Sequence, residues 1–183
     1  RAAGWLNKAP TILRFGTLFG MSPRMRFDLV INLFVAQAIQ EKEITVFGGD
    51  QYRPFLHVND AADALIFALE KNLTGTYNVI SENMTIKQAA EKISNATGCK
   101  INISNENEDK RNYKVSAEKL MQVGFHPSRT IEDAIKEIDE AIKNKKIINY
   151  ADEKYSNYKL LFGSKEMQEK VFMLGIPGSL DVP

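Results

Sequence analysis

The 183 residues contain a single cysteine, Cys99. An internal disulfide is therefore excluded, and the composition suits a reducing, cytoplasmic setting with Cys99 as a structural thiol. Charge of one sign is equally scarce. The chain has 24 Lys and Arg against 23 Asp and Glu, a formal net charge of +1. Such a balance gives no electrostatic footprint for nucleic acid. No apolar run approaches the roughly 20 residues of a membrane span, and no signal peptide is visible. Only two histidines occur, His57 and His126, far apart and without partners at ligand spacing, so no metal site is expected. What is present, 44% hydrophobic and 26% charged residues, describes a soluble globular chain able to bury a sizeable core. The chain begins at Arg1 without a methionine and reads as a fragment.

Periodicity and punctuation predict alternating strands and helices. Residues 1–7 read as the last turns of a helix, broken by Lys8-Ala9-Pro10. Residues 11–15 form a short apolar run that predicts a buried strand, left through a tight loop over residues 16–20. A loop with Arg24 and Arg26 leads to a helical pattern over residues 27–40. Asp28 and Asn32 share a face near its start, either lining a ligand cleft or forming an exposed polar stripe. Asn59 or Asp60 is expected to cap a helix over residues 61–71, which makes Asp60 mainly structural. Residues 75–80 predict a buried strand. Thr85 and Gln88 form a capping box for a helix over residues 86–97, stopped by Gly98. Residues 100–104 alternate as a half-exposed strand. After a polar loop over residues 105–112 come a short helix over residues 117–122 and a final helix capped by Thr130 and Asp133, running to about Lys143. Residues 147–158 look extended, and residues 174–183 carry Gly-Pro punctuation. This tail either drapes over the domain or reaches a neighbouring subunit.

The stretch from Ile44 to Leu69 organises the rest: a short apolar strand, a Gly-Gly turn, a strand led by Arg53-Pro54, and an amphipathic helix. Arg53 enters an apolar strand between two aromatics. Its planar fork of donors suits phosphate or carboxylate oxygens. Composition alone favours the other reading, an arginine paired with a nearby acid or stacked on Tyr52 and Phe55. His57, inside an apolar strand, reads as a satisfied core histidine.

This stretch resembles the signature of the NAD-dependent epimerase/dehydratase family, the extended short-chain dehydrogenases that act on nucleotide sugars. The match rests on Ile44, Val46, Phe47, Gly48, Gln51, Arg53, Phe55, His57, Val58, Asp60, Ala62 and Ala64. Gly49 and Asp50 depart slightly from the pattern at the turn. Two further runs are similar to family motifs. Arg14, Thr17, Phe19 and Gly20 stand where a strand ends beside the nicotinamide, with Met21 in place of the usual proline. Asp109, Arg111, Tyr113, Ser116, Lys119, Gly124, Phe125 and Pro127 match a downstream run, with Val123 in place of leucine, and Ile80 replaces a glycine after the strand at residues 75–80.

The resemblance implies an α/β fold, the C-terminal part of a doubly wound Rossmann-like sheet plus a small mixed lobe. It assigns residues 1–20 and 53–81 to the NAD-binding domain, residues 21–52 and 82–146 to the substrate lobe, and residues 147–183 to a tail. It implies that Arg53 and Arg111 clamp the diphosphate of a nucleotide sugar. The backbone of Thr45, Val46 and Phe47 would hold the base, and Arg26 and Asn32 would line the cleft. Arg14 and Thr17 would face NAD or NADP. The family's isomerase and oxidoreductase chemistry begins with a Tyr-x-x-x-Lys pair that removes a hydroxyl proton while hydride moves to the cofactor. That pair and the glycine fingerprint belong upstream of Arg1, so no catalytic residue is assigned here. Tyr150/Lys154 and Tyr155/Lys159 match the spacing by chance. The expected whole is a nucleotide-sugar epimerase, dehydratase or reductase, with homodimers possible. A non-catalytic binding or assembly module lacking the cofactor half is the alternative.

Overall fold

The structure, a computed structural model, describes residues 9–104 and 111–162. The predicted helix over residues 1–7, most of the polar loop at 105–112 and the tail beyond residue 162 lie outside the described residues.

Among the described residues, seven strands and six helices follow one another in chain order. They are β1 (Thr11–Phe15), β2 (Thr17–Phe19), α1 (Val30–Gln40), β3 (Glu43–Phe47), β4 (Tyr52–His57), α2 (Val58–Glu70), β5 (Gly75–Val79), β6 (Glu82–Thr85), α3 (Ile86–Thr97), β7 (Lys100–Ser104), α4 (Glu118–Gln122), α5 (Ile131–Lys143) and α6 (Asn157–Phe162). The strands form three small sheets. β1 pairs with β5 and β3 with β7, both parallel, while β4 lies between a parallel β2 and an antiparallel β6. The fold is α/β with mostly parallel pairing, as helical connections between strands require.

β4 divides two apolar clusters because successive side chains of a strand point to opposite faces. Phe55 joins the larger cluster, built from Ile31, Phe34 and Val35 of α1, Ile44 and Val46 of β3, Ala90 and Ile93 of α3, and Ile138 of α5. Leu56 joins the smaller one with Ala61, Ala64, Tyr77, Val79, Leu120 and Phe125. Alanines at 61, 64 and 68 give α2 the small face it buries.

Both predicted capping boxes are present. Thr85 accepts from the Gln88 amide and Thr130 from the Asp133 amide, each with the return bond. Gly98 ends α3 at φ 72°, the left-handed region glycine tolerates. Several expectations are corrected. Residues 16–20 are not a loop, since Thr17–Phe19 pairs with Phe55, Leu56 and His57. β1 is a strand but is not buried: Ile12 and Phe15 are exposed. The cap of α2 is His57, whose Nδ1 accepts from the Asn59 amide. Asp60 instead sits buried and accepts from the Ser128 and Arg129 amides and the Arg129 guanidinium. The 147–158 stretch is not extended. It makes a 3-10 turn at Glu153–Tyr155 and drapes over the larger cluster, with Ile147 buried and Tyr150 and Tyr155 packed against it. Phe27 donates its amide to the Tyr155 carbonyl at 3.1 Å.

Candidate functional site

Two clefts meet at Gly16 and Thr17. The first, about 520 Å³, opens beyond the ends of β1 and β5 and is lined by Arg14, Thr17, Pro54, Asn78, Tyr113 and Lys114 among others. Two cations and no carboxylate line it among the described residues. The second, about 360 Å³, lies on the other side of β2 and is lined by Thr17, Gly20, Arg24, Arg26, Leu29 and Asn32 among others. The chain thus brings Arg14 to one cleft, Arg26 and Asn32 to the other, and Thr17 to both.

Asn32 is not part of an exposed stripe; it is buried. Its Oδ1 accepts from the Gly20 amide at 2.9 Å and its Nδ2 donates to the Arg26 carbonyl at 3.0 Å. The side chain therefore braces both ends of the loop that walls the second cleft. Gly20 has φ 95°, and a Cβ there would lie 2.3 Å from His57 Nε2. Arg26 is held by two 2.9 Å bonds to Asp28. Burial alone would raise the Asp28 carboxyl. The Arg26 hydrogen bonds and charge outweigh that and hold it below the ordinary 3.8.

Arg53 is buried on the face of β4 that carries Phe55. Its Nη1 donates to the Tyr52 carbonyl at 2.8 Å and also to the carbonyl of Arg111. The guanidinium lies over the Tyr113 ring, 5.4 Å from its centroid, rather than over Tyr52 or Phe55. Tyr52 instead carries Lys114, at 3.8 Å. The chain therefore juxtaposes residues 53 and 111, 58 positions apart, beside a wall of the first cleft.

Thr45, Val46 and Phe47 run parallel to β7. The Thr45 amide already faces Gln37 Oε1 at 3.4 Å, and the Phe47 carbonyl accepts from Gln51 at 3.1 Å. Val46 is buried, whereas Phe47 is 45% exposed, so of these three residues Phe47 is the one whose side chain faces solvent.

His57 is fully buried but only half satisfied. Its Nε2 lies 3.3 Å from Glu137 Oε2 at an angle that makes no hydrogen bond. In the tail, Tyr150 and Lys154 are each engaged by a carboxylate. Tyr150 donates to Glu41; burial and then that carboxylate push its hydroxyl up to about 12, the reverse of an activated tyrosinate. Lys154 pairs with Asp152 at 3.2 Å. Among the described residues no cluster of His, Cys, Asp and Glu could hold a metal ion, and no helix is long and apolar enough to cross a membrane. Sequence reasoning did not single out Asn78, Tyr113 or Lys114 as cleft residues. Tyr113 stood in a motif, but Lys114 and Asn78 had no local signal.

Residues 5–80 match the model of the NAD dependent epimerase/dehydratase family. UDP-glucuronic acid decarboxylase 3 of Arabidopsis thaliana is 30% identical over 137 residues, 70% of this chain and 40% of that protein. The structure of UDP-N-acetylglucosamine 4-epimerase from Bacillus cereus is similar at TM-score 0.59 and 27% identity, over 74% of this chain and 46% of that one. UDP-glucose 4-epimerase from Thermus thermophilus, solved with NAD, shares the fold at TM-score 0.60 and 22% identity, over 78% of this chain and 49% of that one. The chain spans less than half the length of these proteins. Over residues 5–80 it is a member of the NAD dependent epimerase/dehydratase family.

Proposed function

From that membership, we propose that this chain is the nucleotide-sugar-binding portion of an NAD(P)-dependent sugar epimerase, dehydratase or reductase. Arg53 and Arg111 grip the diphosphate. Arg26 and Asn32 shape the second cleft, which adjoins the first at Gly16 and Thr17, and the strand from Thr45 to Phe47 meets the base. The observation that carries this reading is the approach of Arg53 to residue 111 beside an aromatic, cation-lined cleft. A buried guanidinium is positioned in advance, so little conformational freedom is lost when an anion arrives.

Residues 1–20 and 53–81 serve the cofactor side and residues 21–52 and 82–146 the substrate side; the two apolar clusters follow this division except that Phe19 and Phe55 join the larger cluster and Leu120 and Phe125 the smaller. Arg14 and Thr17 would help hold the dinucleotide; a cleft lined among the described residues by Arg14 and Lys114 fits an anionic group of that kind. The nicotinamide, when bound, supplies the hydride acceptor. This chain's own residues bind and orient the anionic substrate.

Charge-assisted hydrogen bonds contribute roughly 1.5–3 kcal/mol each. Replacing Arg53 by alanine in the intact protein is therefore expected to weaken binding of UDP or a UDP-sugar by about one to two decades, read by titration calorimetry. Unchanged affinity in Arg53→Ala would remove this residue from the site.

A further inference from the structure

The segment that carries Arg111 runs beside β4 and β6 without becoming a strand, so something other than a β ladder must hold it. One backbone bond, from the Tyr113 amide to the Tyr52 carbonyl at 3.4 Å, and the Arg53 guanidinium reach it, and among the described residues asparagines supply most of the rest. Asn83 of β6 donates from Nδ2 to the Val115 carbonyl at 2.8 Å and accepts the Val115 amide on Oδ1 at 2.9 Å. An amide side chain offers a donor and an acceptor in one plane, and so takes the place of a backbone peptide in pairing both groups of one residue. Asn78 adds a 3.0 Å bond to the Ser116 carbonyl, and Asn112 accepts the Tyr52 amide at 3.0 Å. Asn83 lies opposite Pro54 in the β4–β6 register, one residue from Arg53.

We infer that Asn83 is a positioning residue for the anion grip: its amide latches residues 111–116 onto the sheet and so fixes Arg111 and Tyr113 relative to Arg53. This rests on the function proposed above. Arg53 reaches the Arg111 carbonyl and the Tyr113 ring only while that segment stays in place. Among the described contacts that hold it, Asn83 is the side chain that pairs with both the amide and the carbonyl of one of its residues.

The test combines Asn83→Ala with Arg53→Ala in the intact protein. UDP affinity is read by titration calorimetry, and Val115 amide exchange by mass spectrometry. Asn83→Ala is expected to weaken UDP binding about fivefold to tenfold and to speed exchange at Val115. Adding it to Arg53→Ala should change UDP affinity by less than about twofold, because two residues acting through one grip are not additive. Asn83→Asp keeps the acceptor for the Val115 amide but sets a carboxylate against its carbonyl, and should resemble the alanine variant. The inference is overturned if Arg53→Ala weakens binding while Asn83→Ala does not. An equal loss from Asn83→Ala in both backgrounds also overturns it, since that marks a general structural role. If Arg53→Ala itself leaves UDP affinity unchanged, or the wild type does not bind UDP, the proposed function falls and the latch with it.

Discussion

The two apolar clusters on either side of β4 are closed to different degrees. The larger is enclosed by α1, α3 and α5 and further covered by the 147–155 segment, and Val35, Ile44, Val46, Ile93 and Ile138 have no exposed surface. The smaller is capped by the five-residue α4, and apolar side chains remain in solvent on the elements around it. Ile12 and Phe15 of β1 and Leu65, Ile66 and Leu69 of α2 are all exposed, Leu69 by 78%. Burial follows the company an element keeps, not its hydrophobicity. Among the described residues β3 and β1 each pair with one strand, yet Ile44 and Val46 of β3 are buried where α1 and α3 pack on it, and Ile12 and Phe15 of β1 are exposed.

The sharpest way to break this contrast is to empty one site in each cluster. Ile138→Ala should cost about 3–5 kcal/mol, because an enclosed site cannot collapse around the cavity. Leu120→Ala, on the short α4, should cost about 2–3 kcal/mol. Equal costs in urea denaturation would mean that the two clusters are equally closed. Next in size is Gly20→Ala at the end of β2. It combines a left-handed φ with a Cβ driven into the buried His57 ring, and should cost about 2–3 kcal/mol in the same experiment. A neutral result would show that the His57 region yields freely.

A smaller effect concerns Asp28, which ties the cleft loop to the segment over the larger cluster through Arg26 and the Asn157 amide. Its folded carboxyl lies below the ordinary 3.8, so folding is favoured while the group is ionised. That contribution is complete above 3.8 and is lost as pH falls through the lowered value. Solvent screening keeps it under about 1 kcal/mol. Asp28→Asn should remove this part of the acid dependence and leave the profile from pH 5 to 8 unchanged, measured by thermal melts. Least of all should change in Leu69→Lys. On an open face the cost should stay within about 0.5 kcal/mol, and a larger loss would show that α2 is covered.

The parts legible in sequence were those with local causes. Thr85 with Gln88, Thr130 with Asp133, and Gly98 each announce a helix end within four residues, and each holds. The failures needed distant partners. His57 caps α2 although Asn59 and Asp60 are the stronger candidates by type, because Asp60 is drawn away to Arg129, 69 positions on. Thr17–Phe19 is a strand only because β4 lies beside it. For the site, the family motif pointed to Arg53 and Arg111, whose juxtaposition no local pattern could supply. Asn83, which faces Val115 across 32 residues, carried no signal.

Because Phe55 and Leu56 face opposite clusters, the length of the Gly48–Gln51 turn becomes a phase setting for the whole molecule. One inserted residue there would rotate β4 by half a pleat, offering Leu56 to the crowded side and Phe55 to the open one. The guanidinium two residues upstream would swing to the far face with them. Insertions in this bend should therefore be tolerated only in pairs.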